Sequence, residues 1–196
     1  MESESCILLY TRQADAVAAA LQKDGIVQVK KAYVAEKYGA EAKSFQIAYG
    51  FFRELMAERI PPETGEESPY WLHGTALGAG VYGDGQLPVL NAPRKDCLFF
   101  DSRRWNKVLN LSHLGKEKDE EEAFEKELRR VGVFHGSQVF LTPFYPVQRQ
   151  EILNSWRRNL LIPPEELAYL QAALWRLKKE WLVTETCNNV QKRNRF

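Results

Sequence analysis

The sequence predicts an α+β fold, a single domain with a mixed, mostly antiparallel sheet flanked by helices. Three observations predict it. The first is the stretch 96–110. There a short apolar run, Cys97-Leu98-Phe99-Phe100, meets the polar pair Asp101-Ser102 and gives way to an amphipathic turn carrying Trp105, Val108 and Leu109. That is the pattern of a buried strand handing over to a helix. The second is residues 44–60, where Phe45, Ala48, Tyr49, Phe52, Leu55 and Met56 fall on one helical face. The third is that the remaining apolar runs are short and well separated, without internal repeats, low-complexity tracts or a linker.

Composition bounds the function before any motif does. The 196 residues are 44% hydrophobic and 27% charged, enough to bury a core without disulfides or metals. A net charge of +1 argues against a protein built to hold nucleic acid, which shows a basic excess or a basic stripe. Cys6, Cys97 and Cys187 are odd in number and lack zinc or disulfide spacing, so they are expected as reduced thiols. The acidic start, residues 1–5, has no charged n-region, and no apolar run approaches the roughly 20 residues of a membrane span. A soluble, cytoplasmic protein with no membrane partner is expected.

Taken in order, residues 6–10 form the first strand and the Ala-rich residues 14–23 a short helix that stops at Gly25. Residues 26–30 alternate as a strand. The helix 44–60 ends at Pro61-Pro62. Tyr70-Trp71-Leu72-His73 is short, aromatic and extended. Residues 75–86 form a glycine-rich loop, followed by a brief strand over 87–90. Residues 116–130, highly charged with a sparse seam of Phe124, Leu128 and Val131, form a surface helix. Residues 137–142 read as a strand ended by Pro143, and 147–160 as a helix. Over 167–178 the spacing of Leu167, Leu170, Leu174 and Leu177 is helical, whereas 181–184 looks like a strand. The ordered core is expected over 5–186, with a frayed N-terminal tail and a frayed, basic tail at 191–196.

These residues carry a resemblance. The stretch 98–110 resembles a bacterial family known as domain of unknown function 3841. It keeps that family's Trp105, Val108, Leu109 and Asn110, and has Asn106 where the family usually has His. Tyr10-Thr11-Arg12-Gln13 is similar to the family's opening strand. Residues 45–56, with Ala48-Tyr49 at their heart, look like its long first helix, and Gln171-Ala172-Ala173-Leu174-Trp175 resembles its closing stretch. The likeness spans nearly the whole chain. It implies a strand around 170–176 against the local helical propensity, and the strand is adopted because tertiary context overrides propensity. The family brings no established activity.

The candidate sites follow. Gly78-Ala79-Gly80-Val81-Tyr82-Gly83 matches G-x-G-x-x-G letter for letter, but Asp84-Gly85-Gln86-Leu87-Pro88 cannot open the helix a dinucleotide site needs, so a loop is expected. His73-Gly74-Thr75 resembles a tripeptide of many ADP-ribosyltransferases, in which such residues contact the NAD ribose and amide. By that fold-level analogy Arg12 or Gln13 would contact NAD from the first strand, His73 and Thr75 would hold the ribose, Arg12 would hold phosphate, and Gln171 would orient the scissile sugar in the catalytic role. Gln lacks the charge that would stabilise an oxocarbenium-like transition state, which weakens the enzyme reading. Asp101, Arg103, Trp105 and Asn110 complete the candidate cleft. For Asp101 or Ser102 the simpler role is a helix N-cap, and for Trp105 it is core. His73, His113 and His135 lack metal spacing, so no metal is expected. The leading reading is a protein that binds a small nucleotide-like ligand beside the sheet. The alternatives are an NAD-binding, ADP-ribosyltransferase-like enzyme and a non-catalytic interaction or sensor domain.

Overall fold

The computed structural model describes residues 5–29, 43–80, 84–165 and 168–183. In chain order the elements are β1 (Cys6–Tyr10), α1 (Asp15–Asp24), β2 (Ile26–Gln28), α2 (Lys43–Arg59), β3 (Tyr70–His73), β4 (Val89–Pro93), β5 (Leu98–Asp101), α3 (Ser102–Leu109), α4 (Lys118–Arg130), α5 (Gly136–Leu141), α6 (Pro146–Asn159), β6 (Leu170–Leu174) and β7 (Arg176–Lys178). Short 3-10 turns lie at Arg94–Asp96 and Lys179–Trp181. The class is α+β. The chain groups into two compact units, one made of Met1–Lys31, Pro62–Leu98 and Glu166–Phe196, the other of Ala32–Pro61 and Phe99–Glu165.

In the first unit four strands lie side by side in the order β4-β1-β3-β6. Their pairings are antiparallel: β1 with β4 and β3, and β3 with β6. Period-two alternation divides the side chains between two faces. Ile7 and Leu9, Tyr70 and Leu72, Leu90 and Ala92, and Leu170, Ala172 and Leu174 are buried on one of them. Leu8, Tyr10, Trp71, His73 and Gln171 stand half-buried on the other. A two-stranded sheet joins β2 to β7 with Val27 opposite Leu177. Gly25, at φ +79°, ends α1 in the left-handed conformation and donates its N–H to Leu21 O at 3.1 Å.

Arg176 ties this unit together. Its Nε donates to Glu66 Oε1, and its Nη1 donates to Glu63 Oε2 at 2.7 Å. The Glu66 side chain is 1% exposed, and its other oxygen accepts the Glu63 backbone N–H at 2.5 Å. The hydrogen bonds from Arg176 hold the Glu63 carboxyl below the usual range.

The second unit is built on aromatic packing. Phe52 of α2 meets Phe100 of β5 at 4.9 Å and Trp105 of α3 at 5.2 Å, both edge to face. Phe51 meets Trp156 of α6 edge-on at 5.1 Å, and Phe140 stacks on the same indole at 5.6 Å. Trp156 is fully buried, and its Nε1–H donates to Ser112 O at 2.7 Å.

Four expectations need correction or narrowing. Residues 137–142 are not a strand. Residues 137–141 belong to α5, with Thr142 extended after it, because Gln138 Oε1 accepts the backbone N–H groups of Phe134 (2.8 Å) and His135 (3.1 Å) and closes a capping box that starts a helix. The brief strand expected over 87–90 is displaced to Val89–Pro93, where it forms the outermost strand of the four. The strand expected at 181–184 reduces to a bridge of Leu182 to Leu90 after a 3-10 turn. Phe45, read as part of the buried face of α2, is exposed, while Phe51 is buried beside Phe52. The strand at 170–176 is present as β6, with β7 following it. Lys30, Thr184 and the tails at 1–4 and 191–196 lie outside the described residues.

The Glu66 contact makes an asymmetric prediction. Arg176→Met leaves a buried carboxylate without its cation, and urea unfolding should lose about 3–5 kcal/mol. The double variant Arg176→Met with Glu66→Leu should lose clearly less. Equal losses for the two would show that the ion pair contributes nothing specific.

Candidate ligand-binding site

The register of the first unit determines which side chains meet. Tyr10 is paired with His73, and His73 with Gln171. Directly opposite residues on neighbouring strands project to the same face. Tyr10, His73 and Gln171 therefore form a row of cross-strand neighbours over β1, β3 and β6. Gln171 Nε2 lies 3.4 Å from His73 Nδ1. Gln171 Oε1 is buried without a hydrogen-bond partner among the described residues. Burial pushes the His73 imidazole below its usual pKa, so the ring is neutral at neutral pH.

The ends of the strands are closed by a polar chain. Thr11 Oγ1 donates to Trp71 O at 2.9 Å, and Gln13 Nε2 donates to Thr11 Oγ1 at 2.8 Å. Gln13 and Gln86 exchange both backbone hydrogen bonds at 2.9 Å. Gly85 makes that approach possible. It sits at φ +87°, and a Cβ there would lie 2.3 Å from Gln13 O. Arg12 reaches across the same loop, donating Nε to Gly80 O at 2.6 Å and Nη1 to Gly85 O at 3.0 Å. Thr75 Oγ1 accepts the Gly78 N–H at 3.1 Å, and a Cβ on Gly78 would stand 3.3 Å from His73 Nδ1. Gly78 thus lies against His73 and Thr75, and the next regular element among the described residues is β4, a strand. A dinucleotide-binding turn needs a helix there.

Arg12, Gln13, His73, Thr75 and Gln171 all belong to this unit. Asp101, Arg103, Trp105 and Asn110 belong to the other, each in a local structural role. Asp101 caps α3, accepting the Arg103 backbone N–H at 2.7 Å and its guanidinium Nη2 at 2.5 Å. Burial alone would raise the Asp101 carboxyl, but the hydrogen bonds and charge of Arg103 outweigh it and hold it below the usual range. Trp105 is core. Asn110 Nδ2 donates to Asn106 O at 2.8 Å at the end of the helix.

Sequence reasoning assigned nothing to His113, which lines a cavity of about 430 Å³ in the second unit together with Asn110, Phe124, Arg129 and His135. Its ring stacks on Phe124 at 4.3 Å, its Nε2 is 3.9 Å from Glu151 Oε1, and its Nδ1 is buried without a partner among the described residues. The preceding Leu111 is buried at φ +53°, an uncommon conformation for a branched side chain. A lone His between Leu111 and Leu114 gives no signal for this in sequence. Among the described residues no group of three or more His, Cys, Asp or Glu is placed to hold a metal ion, and no helix is long and apolar enough to cross a membrane. The Cys97 thiol, pushed up to about 12 chiefly by burial, is no nucleophile at neutral pH.

The family model for a domain of unknown function, DUF3841, matches residues 8–183, and the chain belongs to that family. Comparison with curated proteins and with solved structures finds no match.

The two half-buried imidazoles set a pH dependence. Burial lowers the pKa of both His73 and His113 in the folded state. The unfolded chain therefore binds more protons below about pH 6.5, and folding is weakened as pH falls through that value. Urea midpoints should drop between pH 7.5 and pH 5.5, and His73→Gln with His113→Gln should flatten the drop. An unchanged slope in the double variant would assign the effect to other groups.

Proposed function

We propose that the chain binds a small nucleotide-like ligand at the Tyr10–His73–Gln171 row, with Thr75 and Gln13 at its end. One observation supports the reading above the others: His73 and Gln171 are opposed in register with hydrogen-bonding capacity unused. Gln171 Oε1 is buried without a hydrogen-bond partner among the described residues, and the Gln171 amide nitrogen lies 3.4 Å from His73 Nδ1. Buried polar groups left unpaired are rare and call for an explanation such as a ligand. Tyr10 and Trp71, on the same face, add aromatic surface suited to a base or sugar ring.

A second reading, glycosyl transfer from NAD, draws on the same register, because it sets Gln171 beside the His73-Gly74-Thr75 tripeptide. In it His73 and Thr75 hold the ribose and Gln171 orients the sugar. Arg12 already binds two loop carbonyls, so its contribution is to the loop rather than to a phosphate. A third reading, a protein-interaction role, draws on the second unit, where Phe134 and Phe144 are 70% and 79% exposed with Leu141 and Val147 also exposed.

Thermal unfolding of the full chain with adenosine, AMP, ADP-ribose or NAD at millimolar concentration distinguishes them. A ligand at a hundredfold excess over its Kd adds about 2.7 kcal/mol, a rise of several degrees for a chain of this size. The expected result is stabilisation by at least one of these compounds, lost in His73→Ala and Gln171→Ala. Nicotinamide release would mark the enzyme reading. Stabilisation untouched by both variants, or absent throughout, contradicts the site.

A further inference from the structure

We infer that Gln171 is a positioning residue that fixes His73 as the Nε2–H tautomer, so that the site presents an uncharged N–H donor to an uncharged oxygen acceptor of the ligand, a sugar hydroxyl or an amide carbonyl. The tautomer follows from the unliganded geometry. Its use toward a ligand rests on the binding site proposed above.

A neutral imidazole has one N–H and one acceptor nitrogen, and the partner of either nitrogen decides which is which. Gln171 approaches Nδ1 with its amide nitrogen, which only donates. Nδ1 must therefore accept, and the proton sits on Nε2. Turning the amide over would bring Oε1 to the ring and require the Nδ1–H tautomer. It would also place the NH2 group, with two donors, where Oε1 now lies buried without a partner. An orphaned N–H is rarer and more costly than an underused carbonyl oxygen, so the observed orientation is preferred.

The consequence is chemical selectivity. A single neutral N–H donor is sufficient for a hydroxyl or carbonyl oxygen, whereas a phosphate dianion is ordinarily held by Arg or Lys or by several convergent N–H groups together. The nearby cation, Arg12, donates Nε and Nη1 to Gly80 O and Gly85 O. The row therefore reads the sugar or amide part of a nucleotide-like molecule.

The test is 15N NMR of the imidazole nitrogens in the full chain. Without ligand at pH 7.5, His73 should show a protonated Nε2 and an unprotonated Nδ1. A dominant Nδ1–H tautomer overturns the inference. In Gln171→Glu a carboxylate replaces the amide, accepts from Nδ1–H, reverses the tautomer and raises the His73 pKa by at least about one unit. An unchanged His73 spectrum in that variant also overturns it, and needs no ligand. Titration with adenosine, nicotinamide and inorganic phosphate then tests the use of the donor. The Nε2 resonance should move with adenosine or nicotinamide and not with phosphate. Movement with phosphate alone contradicts the selectivity. Movement with none contradicts the binding site while leaving the tautomer assignment standing.

Discussion

The constraint on which the candidate site depends is the placement of β3 between β1 and β6, with His73 opposite Tyr10 on one side and Gln171 on the other. Strand side chains alternate with a period of two. A slip of one residue would carry His73 to the apolar face and bring Leu72 out. Leu9, Leu72 and Ala172 are completely buried on that apolar face. Register is therefore enforced by the hydrophobic face, and the polar row on the other face is a consequence of it. With the register set in this way, the Gln171 amide nitrogen is held 3.4 Å from His73 Nδ1.

Around the row, the backbone of the glycine loop does what side chains do elsewhere. Gly85 allows the chain to approach Gln13, Gly78 lies against His73 and Thr75, and Arg12 holds the carbonyls of Gly80 and Gly85. A loop of this composition would ordinarily lose much entropy on ordering. Backbone exchange at Gln13–Gln86 and the two guanidinium bonds hold the described parts of the loop to the first strand end. The second unit has a different logic. Its core is a set of edge-to-face aromatics on α2, α3 and α6, and its polar residues Asp101, Arg104 and Asn110 satisfy helix ends.

Much of this was legible in the sequence wherever a local pattern decided the outcome. The strands Cys6–Tyr10 and Tyr70–His73, the helix α2, the handover from β5 to α3 and the Asp101 cap all follow from periodicity and capping chemistry. The expectation failed at α5, because its helix depends on Gln138 reaching back to two N–H groups, which no apolar period reveals. At β6 the local spacing of Leu residues pointed to a helix, and the family resemblance alone pointed to the strand now seen. The candidate residues Arg12, Gln13, His73, Thr75 and Gln171 were drawn from fold-level analogy, together with the 101–110 turn, and the first five lie in one unit. Their register was not anticipated, because cross-strand pairing is set by tertiary packing. The loop-holding role of Arg12 and the cavity beside His113 had no sequence signal at all.

Among the described residues two places carry buried polar atoms without partners, Gln171 in one unit and His113 in the other, and the proposed ligand site is the first. Amide chemical-shift mapping of the full chain titrated with NAD separates them most directly. The account predicts that perturbations centre on His73 and Gln171 and extend to Tyr10, Leu72, Thr75 and Ala172. Perturbations centred on Asn110, His113, Phe124 and Arg129, with the β3–β6 residues unmoved, would contradict it.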